Sequence, residues 1–307
     1  MPRSGFVVIA GRPNAGKSTL LNRILGTKVS IVTPKAQTTR ERVLGILTEM
    51  PQGQMIFVDT PGIHRAKEGG INAVMMHEAR EALDEPAVIW YIVDPYSKLE
   101  PESVVLELLK GTRAPVFFLM NKMDLKKNPG LKEEIEAAAK ELGIVFHSMR
   151  EISAEQGKGV PELVDETWKV LPEGPLYYPD EEQISDRPIR FFVGEKIREQ
   201  LLLQLGQELP YSCAVEIENF DENEKPPRVE AIIHVERDSQ KGMVVGKGGT
   251  KIKAIGQAAR VTIEEFLGHK IFLGLRVKLL KDWSRDVDAL RRLGYHLPGK
   301  KKKKSTA

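Results

Sequence analysis

The chain has 307 residues, of which 41% are hydrophobic and 29% charged, with one cysteine and a net charge of +3. That length suits two cores better than one, no uninterrupted apolar run approaches the ~20 residues of a membrane span, and a lone cysteine excludes an internal disulfide. Charge is unevenly placed: residues 241–307 hold 17 Lys+Arg and 5 Asp+Glu, or +12, leaving 29 and 38, or −9, for residues 1–240, so one end is built for a polyanion.

The start, Met1-Pro2-Arg3-Ser4, lacks the apolar stretch of a signal peptide. An apolar strand at Phe6-Val7-Val8-Ile9-Ala10 leads into Gly11-Arg12-Pro13-Asn14-Ala15-Gly16-Lys17-Ser18, and a helix begins near Lys17, continues through Thr19 and ends at Gly26. Strand, glycine loop and helix in that order make a P-loop: successive N–H groups and the helix dipole face one concavity, where phosphate binds. Lys17 is expected at the β- and γ-phosphates and the Ser18 hydroxyl on Mg²⁺. Residues 28–42 read as a polar loop containing Thr38 and Thr39. One of these threonines is the expected second magnesium ligand of a nucleotide switch, and Thr39 is preferred because neighbours cannot both face one metal.

Residues 43–50 and 54–60 form a predicted hairpin whose second strand ends in Asp59-Thr60-Pro61-Gly62. Asp59 is expected to hold magnesium through water and the Gly62 N–H to sense the γ-phosphate, so Lys17, Thr39 and Gly62 are the residues expected to act on the reacting group. His64 reads as an exposed switch residue rather than a base. The continuous apolar runs 87–94 and 114–120, with helical spacing over 71–84, 101–110 and 131–142, predict a doubly wound α/β domain. Asn121-Lys122-Met123-Asp124 follows the second run. The Asp124 carboxylate can accept from guanine N1–H and the 2-amino group, donors that adenine does not offer there, which selects GTP. A strand at 144–149 leads to Ser153-Ala154, placed to contact the base from its far side.

The order of these elements resembles the Ras-like GTPase superfamily over roughly residues 5–171, and the forms around Asn14, Arg40 and Asp59-Thr60-Pro61-Gly62 resemble its bacterial branch of translation-associated GTPases. Ile63 stands where Ras-like enzymes carry a water-orienting glutamine, which implies a slow intrinsic GTPase. The same branch implies a K⁺ ion held partly by Asn14; the alternative for Asn14 is a loop-stabilising side-chain bond.

Residues 172–187, rich in proline, read as a stiff linker between a domain at 1–171 and one at 188–299. The second opens with an amphipathic helix over 188–205, with Ile189, Phe192, Val193, Ile197, Leu201 and Leu205 on its apolar face. Two alternating strands follow at 212–220 and 228–237, Cys213 reading as a small core residue. Then come Val244-Val245-Gly246-Lys247-Gly248-Gly249, a helix to Phe266 that carries Lys251 and Lys253, a strand over 270–280 and a short helix over 284–293. This loop and order resemble a type II KH domain, an α+β fold whose Gly-x-x-Gly loop clamps about four nucleotides of single-stranded RNA. Gly248 takes the second x position, where family members frequently carry a polar residue. Lys300 to Lys304 form a basic tail, 300–307, expected to be disordered alone.

A P-loop GTPase domain followed by a type II KH domain resembles the Era family over nearly the whole chain. The resemblance implies a cytoplasmic monomer that binds and hydrolyses GTP, binds the 3′ end region of 16S ribosomal RNA through its KH domain and assists maturation of the 30S subunit. The basic tail is expected to attract RNA non-specifically, the alternative being peripheral association with the cytoplasmic face of the inner membrane. Two rival readings compete with it: an RNA-binding module whose nucleotide only stabilises the fold, and a membrane-surface protein.

Overall fold

The computed structural model describes residues 1–35, 37–65, 69–125 and 130–295; the predicted basic tail at 300–307 lies outside them. The first sheet is built from β1 (Arg3–Gly11), β2 (Val43–Glu49), β3 (Gly53–Asp59), β4 (Val88–Val93), β5 (Val116–Met120) and β6 (Phe146–Glu151), in the order β2-β3-β1-β4-β5-β6. Only β2 runs antiparallel, as the hairpin partner of β3. Helices α1 (Lys17–Leu25), α2 (Gly70–Ala82), α3 (Leu99–Leu109), α4 (Leu131–Glu141) and α5 (Val160–Val170) cover both faces.

That covering is why β4 and β5 are apolar at every position. Alternate residues feed two cores: Trp90 and Phe117 join Leu20, Leu21 and Leu163 on one face, and Tyr91 and Phe118 join Val105, Leu109 and Ile135 on the other. The last strand starts two residues later than its sequence suggests. Ile144 is still tied to the end of α4, its N–H bonding Ala139 O at 2.9 Å, and Val145 is 85% exposed. A buried β-branched residue next to an exposed one is a strand-like pair by composition, but here it closes a helix.

Residues 172–187 lie along the hairpin edge of this sheet. Gln54 Oε1 accepts from the N–H groups of Tyr177 and Tyr178, Ile46 N–H donates to Ile184 O, and Ser185 Oγ donates to Leu44 O.

The remaining residues build α6 (Ile189–Gln204), β7 (Cys213–Asp221), β8 (Arg228–Val235), α7 (Asp238–Val245), α8 (Thr250–Leu267), β9 (Phe272–Leu279) and α9 (Val287–Arg292). The second sheet has the order β7-β8-β9, antiparallel then parallel. Val193, Ile197 and Leu201 of α6 are buried with β8 and α8, as the apolar spacing predicts, whereas Ile189 is 46% exposed. Cys213 is buried, and burial pushes its thiol up to about 12. Among the described residues no helix is long and apolar enough to cross a membrane.

Candidate functional site

Gly16 precedes α1 in the left-handed region at φ 101°, and a Cβ there would meet Asn121 Nδ2 at 2.2 Å, so glycine is required twice over. With that turn in place the first N–H groups of α1 open into a cleft of about 450 Å³, lined among others by Pro13, Asn14, Thr19, Thr39, Gly62 and Lys122. Lys17 is 6% exposed, and its Nζ donates to Gly11 O at 3.1 Å and Arg12 O at 2.8 Å. Burial lowers its pKa to about 8, against the opposing pull of the Asp59 and Glu102 carboxylates. The Ala15 N–H bonds Arg12 O at 3.4 Å, keeping the loop closed on itself.

Three predicted magnesium ligands converge. Ser18 Oγ donates to Asp59 Oδ2 at 2.6 Å and stands 3.1 Å from Thr39 Oγ1, which is 3.4 Å from the same carboxylate oxygen. Thr39 is the threonine that reaches this cluster; Thr38 Oγ1 instead donates to Lys35 O at 2.7 Å. Ser30, which carried no motif signal, adds a further hydroxyl to Asp59 Oδ2 at 2.9 Å. Asp59 is fully buried, burial raises its pKa, and its Oδ1 has no hydrogen-bond partner among the described residues. An orphaned buried carboxylate oxygen beside two hydroxyls is the all-oxygen donor set that a small hard cation takes, so these residues fit Mg²⁺.

The Asp59–Gly62 turn is docked on the P-loop through Ile63 N–H, which donates to Gly11 O at 3.0 Å, and the Ile63 side chain is fully buried. His64 is half-buried, with Nδ1 at 2.8 Å from Gly62 O in its own loop. Asn14 adopts φ 62°, and its Nδ2 donates to Pro34 O at 3.2 Å, a bond of the kind the loop-stabilising alternative requires.

The guanine-side residues also gather. Buried Asn121 donates to Ala15 O at 2.8 Å and accepts from Ala154 N–H at 2.9 Å, fastening the P-loop to the Ser153-Ala154 turn. Asp124 is exposed; the hydroxyl of Ser153, 2.5 Å from its Oδ1, holds its carboxyl below the usual range, so it remains an acceptor. Lys122 pairs with Asp94 at 2.5 Å.

The second candidate surface is the turn between α7 and α8. Gly246 lies at φ 74°, and a Cβ there would stand 2.7 Å from Lys251 Cβ. Gly248 and Gly249 are also left-handed, at φ 58° and 75°, and Gly249 opens the N-terminus of α8. Lys247, Lys251 and Lys253 are exposed around it. A groove of about 360 Å³ continues from the loop between α8 and β9, lined by Ile252, Lys253, Gly256, Arg260, Leu273 and Leu275. Phosphates at the loop and bases in the groove fit this mixture of charge and apolar surface.

Comparison with known proteins follows the same division. Residues 6–122 match the family described as 50S ribosome-binding GTPase, and residues 208–284 match the KH domain. The chain is 44% identical over 295 residues to the GTPase Era of Staphylococcus haemolyticus, covering 95% of this chain and 97% of that one. It is 46% identical over 296 residues to the GTPase Era of Geobacter metallireducens, covering 95% and 98%. Among solved structures it is similar to a variant of Aquifex aeolicus Era bound to GDP·AlF4−, with a TM-score of 0.89 and 36% identity over 96% of this chain and 100% of that one. It is equally similar to Era in complex with MgGDPNP and nucleotides 1506–1542 of 16S ribosomal RNA, with a TM-score of 0.90 and 36% identity over 97% and 100%. With a P-loop cleft, a KH loop and relatives of this identity along nearly its whole length, the chain belongs to the Era family of GTPases.

Proposed function

We propose that this protein binds and hydrolyses GTP with Mg²⁺ and uses its KH domain to bind the 3′ end region of 16S ribosomal RNA, assisting maturation of the 30S subunit as a monomer. The observation that carries the reading is that a solved relative matching 97% of the chain holds both MgGDPNP and nucleotides 1506–1542 of 16S ribosomal RNA. The matched family description names the 50S subunit but spans only residues 6–122, so the whole-chain relative guides the choice of RNA.

In this reading Ser18, Thr39 and Asp59 hold the metal, which neutralises charge developing on the phosphates. Lys17 leaves the carbonyls of Gly11 and Arg12 for the β- and γ-phosphates, and the N–H groups of Asn14 to Thr19 wrap them. The Gly62 N–H reads the γ-phosphate, and Asp124 reads guanine while Asn121, Ser153 and Ala154 keep that end of the cleft in place. The Ile63 side chain offers no polar atom to orient water, so the intrinsic rate is slow. Asn14 adds a K⁺ subsite: its amide nitrogen is committed to Pro34 O, which leaves the amide oxygen for a cation. Gly246, Lys247, Gly248, Gly249, Lys251 and Lys253 clamp the RNA backbone.

Nucleotide and RNA are linked because residues 28–42 and 59–70 respond to the γ-phosphate and both touch the second domain; Arg40 bonds Cys213 O, and Gly70 lies against the main chain of Ser284. RNA affinity measured with GDP and with a non-hydrolysable GTP analogue tests the link. A difference of several-fold is expected, and equal affinities would end it, since a ligand shifts only equilibria to which it binds differentially.

A further inference from the structure

Helix α6 has a second face. Glu195, Arg198 and Glu199 stand at i, i+3 and i+4 and so share one stripe, and that stripe meets the loop at 28–38 of the first domain rather than solvent. Arg198 is 3% exposed; its Nε donates to Glu195 Oε1 at 2.7 Å, and its Nη2 donates both to Glu195 Oε2 and to the carbonyl of Thr38. Glu199, 1% exposed, pairs with Lys28 at 2.7 Å and accepts from the Val32 N–H at 3.2 Å. Lys35 Nζ donates to Leu205 O at the end of the same helix.

The residue after Thr39 is also held by the second domain. Arg40 is 5% exposed and donates to Cys213 O at 2.8 Å and Tyr211 O at 2.9 Å, with its guanidinium 5.4 Å from the centre of the Trp283 ring. Trp283 is itself fixed, stacked on Tyr295 at 6.1 Å and bonded through Nε1 to Ser212 O at 2.9 Å. Thr39 therefore has a second-domain contact on each flanking residue, while its own hydroxyl lies 3.1 Å from Ser18 Oγ. Burying two guanidinium groups is costly unless their donors are used. Arg40 aims both Nη atoms at main-chain carbonyls, and Arg198, held by Glu195, aims Nη2 at the carbonyl of Thr38 while its Nη1 has no partner among the described residues; the carbonyl bonds fix a backbone path and not merely a charge balance.

We propose that Arg198 and Arg40 are positioning residues for Thr39, so that the KH domain and the helix leading into it complete the hydrolytic site of the first domain. The inference rests on the reading of Thr39 as a metal ligand. Neither arginine is assigned to the nucleotide or the metal; each acts by holding the neighbouring peptide so that the Thr39 hydroxyl stays on the Asp59 side of the cleft. A domain glue would serve GDP and GTP states alike, whereas a positioning pair matters where the threonine is used.

The test uses the full chain and the variants Arg198→Gln, Arg198→Lys, Arg40→Gln and Thr39→Ala, with the doubly neutral Glu195→Gln/Arg198→Gln in case the single variant leaves an unpaired half-buried carboxylate and fails to fold. Amide hydrogen exchange over residues 37–40 is measured without nucleotide or metal, the Mg²⁺ concentration for half-maximal hydrolysis at saturating GTP is titrated, and GDP affinity serves as the reference. Loss of one charge-assisted bond to the loop should speed exchange about tenfold and raise the Mg²⁺ requirement about tenfold, with GDP affinity within about twofold. Arg198→Lys, which keeps a donor for Thr38 O, should recover part of both. Wild-type exchange and Mg²⁺ requirement in a folded Arg198 variant, with Thr39→Ala still shifting the requirement, would overturn the inference. A loss of GDP affinity as large as the rise in the Mg²⁺ requirement would overturn it too, by making the arginines general supports. If Thr39→Ala leaves the Mg²⁺ requirement unchanged, the reading of Thr39 fails first and the inference falls with it.

Discussion

Two glycine loops in this protein stand at the start of a helix, where the proposed function has each meet phosphate, and they are built in opposite ways. The loop at Gly11–Ser18 is closed: its lysine is 6% exposed, and Asn121 packs where a side chain on Gly16 would go. The loop at Gly246–Gly249 is open: Lys247, Lys251 and Lys253 all face solvent, and nothing lies within 4 Å of where side chains on Gly248 or Gly249 would begin. A chemical step needs few charges, desolvated and fixed relative to the reacting phosphate, so that each acts in a low-dielectric site. Holding a polymer needs several charges that track a flexible backbone and release its counterions. Burial separates the two tasks more clearly than the glycine pattern does.

The sharpest way to break this contrast is Lys17→Ala. Removing the one buried cation of the closed loop should weaken GTP binding by about a hundredfold, since a charge-assisted bond in a desolvated site contributes roughly 1.5–3 kcal/mol, and should leave RNA affinity unchanged in a filter-binding assay. Salt sharpens it next. Between about 50 and 200 mM salt, RNA affinity should fall by more than about tenfold if the three exposed lysines each engage a phosphate, while GTP affinity shifts by about twofold or less. Gly246→Asp places a carboxylate in the open loop, at a backbone conformation suited to glycine and against Lys251. It should lower RNA affinity about tenfold without altering nucleotide affinity, and a matching loss of GTP binding would mean that the loops are not separable. Lys253→Gln should have the smallest effect, a few-fold loss for all RNA sequences alike with the salt slope reduced by about one.

How much of this was legible in the sequence follows the same line. The P-loop, Asp59–Gly62, Asn121–Asp124 and Gly246–Gly249 are local: a few consecutive residues carry both the turn and the ligand groups, so spacing alone identifies them, and the sheets and helices that hold them follow from apolar periodicity. Thr39 was harder, because Thr38 has the same chemistry; only the fold shows which hydroxyl faces Asp59. Ser30 gave no signal, since a serine in a polar loop looks the same whether or not it reaches a carboxylate 29 residues away. The polar face of α6 gave no signal. Helical spacing picks out only the apolar face, and the burial of Arg198 and Glu199 depends on a partner loop roughly 160 to 170 residues earlier in the chain. Arg40 was visible as a family marker, but its contacts with Tyr211, Cys213 and Trp283 belong to tertiary structure.

The most direct measurement of the coupling between the two loops is GTP hydrolysis under multiple turnover in K⁺ buffer, with and without an RNA carrying the 3′ end of 16S ribosomal RNA, using Gly246→Asp as the control. The account predicts that the RNA changes the rate and that Gly246→Asp removes the change while basal hydrolysis persists. A rate indifferent to an RNA that demonstrably binds would contradict it, and would leave the closed and open loops as two sites that share a chain without sharing a mechanism.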